Sequence, residues 1–325
     1  MIALVTGSNG FLGSHLVEGL LARGYEVHCL VRRTSDLTWL RGLPARLVYG
    51  DVTSQESLRR AVAGKEYVYH AAGLVKARSQ WAFDRVNFSG TAKLLWACRI
   101  CGVQLKRFVL ISSQSAGGPS PDSTPVTEED SPRPVSLYGK SKLRAEEEAS
   151  KYAGRLPVTI VRPPAIFGPR DREMYPFFKM LNKGIVVLVR GERCASFAYV
   201  KDVVAGTVLA GESEKAVGQI YYISGERDCT WREFAETAAR VMGKRPVTVS
   251  VPEAAVRVLG GMNSLAAALT GRARMLDWQK AREILQPCWL CDTSKAKRDL
   301  GYRARYSLED ALAETIRWYE VEGWI

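Results

Sequence analysis

Ile2-Ala3-Leu4-Val5-Thr6-Gly7-Ser8-Asn9-Gly10-Phe11-Leu12-Gly13 runs from a short apolar stretch through a glycine-rich turn into a helical pattern. Residues 2–6 read as a buried strand, and the apolar spacing over 12–23 reads as a helix. In that setting the glycines have separate tasks. Gly7 permits the tight turn, Gly10 lets the backbone approach a pyrophosphate, and Gly13 allows close helix–strand packing. The free N–H groups and positive dipole end of the helix, which opens at Phe11 and Leu12, complete an anion site. Gly7, Gly10, Phe11, Leu12 and Gly13 are therefore candidate contacts to a dinucleotide.

The pattern continues outward from this turn. Further strands are expected over 26–31, 46–49, 67–71, 108–112 and 158–162, separated by amphipathic stretches at 12–23, 54–63, 81–101 and 138–152. Strands of this kind, alternating with helices, imply an α/β fold: a Rossmann-type, doubly wound parallel sheet with ligands at the strand C-termini. After Arg162 the alternation loosens at Pro163-Pro164, Gly168-Pro169 and Pro176. Residues 1–162 are expected to form the dinucleotide-binding domain and 163–325 mainly a smaller substrate-binding region, with later segments free to return to the first. Strands over 185–189, 219–223 and 247–251 are expected there, with capping boxes at Thr230/Glu233 and Ser307/Asp310. Trp278, Trp289, Trp318 and Trp324 read as core residues of this region.

Composition sets limits. The chain has 325 residues, 46% apolar and 25% charged, as in ordinary soluble globular proteins. The net charge of +12 comes from scattered cations with no run of five, which reads as a solvated basic surface and not as a nucleic-acid site. The chain opens directly into a strand, so no signal peptide is expected. The apolar stretch 251–271 is interrupted by Glu253, Arg257, Asn263 and Gly260-Gly261, so no transmembrane segment is expected. Seven cysteines, an odd number, point to reduced thiols in a cytoplasm. The pairs Cys98/Cys101 and Cys288/Cys291 lie far apart, the first inside a helical pattern, so no metal site is expected.

Five clusters carry candidate chemistry. The second strand ends Leu30-Val31-Arg32-Arg33, where an acidic residue would receive the free ribose hydroxyls of NAD. Arg32 and Arg33 suit a 2′-phosphate instead, which favours NADP and leaves NAD possible; Asp36 is the rival, several residues beyond. Asp51-Val52 follows the third strand and suits the adenine. Ala71-Ala72-Gly73 follows the fourth and offers small residues where a cofactor backbone would pass. Ser112-Ser113 ends the fifth, where a hydroxyl can donate to a carbonyl oxygen as charge builds. Finally, Tyr138 and Lys142 stand at i and i+4, on one helix face, where an ammonium can lower the pKa of a phenol.

In this order, the glycine turn, Ser113 and Tyr138-x-x-x-Lys142 resemble the extended short-chain dehydrogenase/reductase family. The resemblance includes Gly50-Asp51-Val52-Thr53, His70-Ala71-Ala72-Gly73, Val86-Asn87-x-x-Gly90-Thr91 and Arg162-Pro163-Pro164-Ala165-Ile166-Phe167-Gly168-Pro169. It also includes Phe197-Ala198-Tyr199-Val200-x-Asp202-Val203, with tyrosine where the family usually has histidine. The resemblance implies that Tyr138 is the acid/base, Lys142 holds the nicotinamide ribose, and Ser113 polarises the carbonyl. It further implies cofactor contacts from Tyr138, Lys142, Pro163 and Ile166. Within the family the chain is similar to dihydroflavonol reductases at Val31-Arg32 and to 3β-hydroxysteroid dehydrogenases at Ser112-Ser113-x-x-x-x-Gly118-Pro119. Dehydratases of the family carry Thr-Asp-Glu where this chain has Ser113-Gln114-Ser115, which counts against dehydration. The resulting expectation is an NADP-dependent oxidoreductase acting on a small carbonyl or secondary alcohol, lipophilic or a nucleotide-sugar, in a homodimer. A nucleotide-sugar epimerase with tightly bound NAD(P), using Arg170, Arg172 and Lys179 for a diphosphate, is the alternative. A non-catalytic NADP-binding sensor is the minor one.

Overall fold

The computed structural model describes residues 1–101, 104–270 and 278–325. Among them, seven parallel strands form the main sheet, in the order Ile220–Tyr222, Val158–Arg162, Arg107–Ile111, Tyr67–His70, Ile2–Thr6, Glu26–Val31, Arg46–Tyr49. The chain steps outward from Ile2–Thr6 to one edge, then returns to build the other half from Tyr67–His70. Thr6 lies beside both Leu30 and His70, so the order reverses at the C-terminal end of the first strand. A crevice opens at such a switch point.

Side-chain alternation explains the two covering layers. Val5, Val27, Val109 and Tyr221 turn to one face and pack with Leu16 and Leu20 of the helix Phe11–Ala22. Leu4, Val68, Phe108 and Ile160 turn to the other and pack with Leu58 and Leu94. The Rossmann-type fold follows from strands apolar on both faces.

The stretch 81–101 differs from the single expected helix. It divides into Gln80–Val86 and Phe88–Ile100 around Asn87. The buried Asn87 amide is engaged outside its own helix: Leu74 N donates to Oδ1 (2.7 Å), and Nδ2 donates to Leu74 O (3.0 Å) and Ser141 Oγ (2.9 Å). These bonds tie the loop after Gly73 to the helix that carries Tyr138.

A smaller sheet joins Ala165–Phe167, Cys194–Tyr199, Asp228–Thr230 and Cys288–Trp289. Its core is aromatic, with Phe197 and Phe234 stacked at 4.2 Å and Phe167 edge-on to Phe234. Trp289, Trp318 and Trp324 pack against this core, whereas Trp278 is 45% exposed. Both expected caps form: Thr230 Oγ1 accepts from Glu233 N (3.0 Å) and Ser307 Oγ from Asp310 N (3.1 Å). The backbone of the interrupted apolar stretch is the helix Glu253–Thr270; its last expected position, Gly271, lies outside the described residues. Among the described residues no helix is long and apolar enough to cross a membrane.

Candidate active site

Steric crowding explains two of the three glycines. Gly7 has φ +68°, and a Cβ there would stand 2.7 Å from Ala72 Cα and N. A Cβ on Gly13 would stand 2.0 Å from the Gly7 carbonyl oxygen, so the third glycine seats the helix on the turn itself. The turn closes through Gly10 N to Gly7 O (3.0 Å). The helix Phe11–Ala22 has no side-chain cap and no acid in its first turn, which leaves its N-terminal donors for an anion. Phe11 and Leu12 are half-buried at its start. Gly13→Ala is expected to cost about 1–3 kcal/mol through overpacking, read as a lower midpoint in thermal unfolding; an unchanged midpoint would contradict this close approach.

Ala71 and Ala72 are held against the turn by Ala71 N to Thr6 O (3.2 Å) and Ala72 N to Thr6 Oγ1 (3.2 Å). Thr6 Oγ1 also meets His70 Nδ1 (2.6 Å), and His70 Nε2 meets Thr91 Oγ1 (3.0 Å). Burial, with Lys142 adding to it, pulls His70 down to about 3. This histidine is a neutral strut.

At the end of the second strand, Arg32 is exposed and Arg33 lies over the Tyr49 ring at 5.3 Å. Asp36 is engaged elsewhere: its Oδ1 accepts from Thr38 N (2.9 Å) and Thr38 Oγ1 (2.6 Å). Asp51 Oδ1 likewise accepts from Thr53 N and Oγ1, both at 2.7 Å. Burial pushes the Asp51 carboxyl up, but these bonds and the charges of Arg32 and Arg85 outweigh it and hold it below its ordinary value. Val52 packs beside Gly90, where a Cβ would stand 3.2 Å from Val52 Cγ2.

The two serines at the end of Arg107–Ile111 separate clearly. Ser112 is buried and donates to Glu146 Oε1, whose partner is the equally buried Arg162. Ser113 caps the helix Gln114–Gly117 by accepting from Ser115 N (3.1 Å), and its side chain lies near enough to the Tyr138 phenol to favour the phenolate. Pro163 O accepts from Gln114 N (2.9 Å), placing Pro163 beside this serine. Ile166 sits farther along, in Ala165–Phe167 opposite Ala198.

Tyr138 and Lys142 lie on the helix Leu137–Ser150, capped by Ser136. Gly139 lets that helix meet the Ser113 segment, since a Cβ there would stand 2.2 Å from Ser115 O. Sequence reasoning passed over this glycine, although glycine inside a first helical turn was a usable signal. Lys142 is buried, and its Nζ donates to Ile111 O and faces Gly73. Burial pulls Lys142 down to about 8, against the opposing charge of Glu146. Tyr138 moves opposite to the expected direction: burial pushes it up to about 12, partly countered by Ser113, with Glu283 and Glu173 adding to the rise. The ammonium points at a strand-end carbonyl, so desolvation governs the phenol.

A second missed feature grips the start of this helix. Gln279 Oε1 accepts from Leu137 N (3.1 Å), and Glu283 Oε1 accepts from Ser136 Oγ (2.6 Å). Both come from the helix Trp278–Ile284. The cations suggested for a diphosphate are engaged elsewhere. Arg170 pairs with Glu18 (2.6 Å) and lies over Trp39, Arg172 lies over Trp324, and Lys179 lies over Tyr175.

Residues 3–224 match the NAD dependent epimerase/dehydratase family. The chain belongs to this family. Among similar proteins is the ceramide reductase of Caulobacter vibrioides, 32% identical over 326 residues that cover 100% of this chain and 96% of the relative. A 3β-hydroxysteroid dehydrogenase/Δ5→4-isomerase of Mycobacterium tuberculosis is 30% identical over 343 residues, covering 97% and 90%. Among solved structures, the dTDP-glucose 4,6-dehydratase DesIV of Streptomyces venezuelae, with NAD and TYD bound, superposes with a TM-score of 0.82 at 28% identity, covering 100% of this chain and 98% of that one. Proteins with such different printed activities share this fold, so the fold alone does not name the reaction.

Proposed function

We propose that this protein is an NADP-dependent oxidoreductase that reduces a carbonyl group on a lipophilic small molecule to a secondary alcohol. The observation that carries this reading is the convergence of Ser113 and Tyr138, one helical turn from Lys142 and beside the glycine cradle. The cradle suits a dinucleotide, because Gly7 and Gly13 let the turn close tightly under a helix whose N-terminal donors carry neither a side-chain cap nor an acid. The bound nicotinamide would supply the hydride. A phenol pushed up to about 12 is neutral at pH 7, the form that gives a proton to a carbonyl oxygen. Ser113 donates a hydrogen bond to the same oxygen, and buried Lys142 orients the ribose. Gln114 and Ser115 offer no carboxyl to expel water, which separates the reading from dehydration. The names of the ceramide reductase and the hydroxysteroid dehydrogenase support reduction and a lipophilic substrate. A homodimer in the cytoplasm completes the proposal.

Cofactor choice is assigned to Arg32. Asp36 is held by Thr38, and Arg33, also exposed, lies over Tyr49, so Arg32 is the cation at the strand end taken here for a 2′-phosphate. Arg32→Ala is expected to weaken NADPH binding by about 1.5–3 kcal/mol, or roughly tenfold or more, with NADH binding little changed. Fluorescence titration of both cofactors checks this; equal losses for the two would contradict it.

The competing reading is a nucleotide-sugar epimerase; the likeness to DesIV, a dTDP-glucose 4,6-dehydratase, supports a nucleotide-sugar substrate for it but not the epimerisation. It predicts a cofactor retained through purification and turnover without added nicotinamide. The pairing of Arg170 with Glu18 weighs against it.

A further inference from the structure

The parallel strands Ile185–Val189 and Val247–Val251 turn their apolar face outward. Their register sets Ile185 opposite Val247 and Val187 opposite Val249, so four branched side chains form one array. All four are exposed, by 43%, 69%, 42% and 44% respectively. The alternate residues Val186, Leu188 and Thr248 line a cleft of about 610 Å³ beside the helix Trp231–Val241. A sheet with one solvated face normally gives that face polar residues. Here the valines face solvent on one side of their strand, while Thr248 and Ser250, also exposed, take the other. The helix Glu253–Thr270, which follows directly, adds Val258, Leu259 and Met262, exposed by 60%, 48% and 63%. Four adjoining exposed branched side chains mark an interaction site.

Charge identifies the occupant. Exposed Lys183, Lys244 and Arg245 lie at one end of the strand pair, the last two also bordering the cleft, and exposed Arg190 and Arg257 lie at the other. Over 183–193 and 244–257 the carboxylates are Glu192 and Glu253, and Glu253 is held between Arg193 (2.7 Å) and Arg257 (3.2 Å). A surplus of cations around an apolar array repels a second copy of itself and complements a negatively charged lipid surface.

We propose that this face docks the protein onto an anionic bilayer, with the valines and the helix face in the interfacial zone and the basic rim on lipid phosphates. The protein then lies on the membrane without crossing it. The helix Glu253–Thr270 packs against Trp278–Ile284, which grips the start of the Tyr138 helix, so the docked face is linked to the candidate active site.

The test is sedimentation of the full chain with vesicles of phosphatidylcholine alone or mixed with phosphatidylglycerol, and it involves no turnover. The result is therefore separable from the proposed reaction. The protein should sediment only with the phosphatidylglycerol vesicles. The partition coefficient should fall about tenfold or more in Val247→Glu/Val249→Glu, and again in Lys244→Glu/Arg245→Glu, with unchanged circular dichroism. The second variant changes exposed loop positions only, so it reports even if the first fails to fold. No binding to phosphatidylglycerol vesicles, or binding that survives Lys244→Glu/Arg245→Glu, would overturn the proposal. So would light scattering showing that a folded Val247→Glu/Val249→Glu variant turns a dimer into a monomer.

Discussion

Tyr138→Phe is expected to lower turnover of the carbonyl substrate by roughly a hundredfold or more, the scale on which a general acid contributes. The substitution removes a hydroxyl and keeps the ring, which packs against Phe83 at 6.0 Å between centroids. Tyr138 is only partly buried, and Ser113 retains its bond from Ser115 N, so the fold should lose little. NADPH affinity should change far less than kcat, because the proposed phosphate and adenine contacts lie on other elements. Steady-state rates on a responsive ketone, beside a cofactor titration, separate the two effects. Turnover close to that of the unmodified protein would remove Tyr138 from the acid role.

The second large effect concerns stability. Glu146→Ala is expected to destabilise the protein by about 3–5 kcal/mol, because it strands the Arg162 charge in the interior. Arg162 and Glu146 are 2% and 3% exposed and share bonds of 2.6, 3.0 and 3.2 Å. Arg162 Nη1 also donates to Tyr222 Oη (3.2 Å), and Ser112 donates to the same carboxylate. Such a loss is a large part of the ~5–15 kcal/mol that holds a typical domain together. Replacing both partners, as Glu146→Met with Arg162→Met, should recover most of it, since the pair's own desolvation cost then disappears. Urea unfolding measures both variants. A cost below about 1 kcal/mol for Glu146→Ala would show that water reaches the site and that the pair is not buried.

Local patterns revealed the elements that depend on local physics. Residues 2–13 are legible because strand, turn and helix follow one another without a gap, and the Gly7 and Gly13 approaches lie within that span. The outer strands were readable from apolar runs, and the Thr230 and Ser307 caps from spacing alone. What stayed hidden depends on long-range partners. Asn87 divides a helix because of Leu74 and Ser141, the latter 54 positions away. Gln279 and Glu283 reach Leu137 and Ser136 across 142 and 147 positions. The different roles of Ser112 and Ser113 depend on a buried carboxylate 34 positions from Ser112. The direction of the Tyr138 shift was misjudged for a related reason: a sequence displays the nearby lysine but not the desolvation around the phenol.

The central claim is net hydride delivery from a dissociable NADPH to a carbonyl carbon. It is tested most directly by incubating the purified protein with 4-deuterated NADPH and a panel of lipophilic ketones, then analysing the alcohols by mass spectrometry. One deuterium at the carbinol carbon of the product per NADPH consumed, lost in Tyr138→Phe, is the predicted result. Alcohol or epimerised product with no deuterium, and with the added NADPH recovered intact, would contradict it.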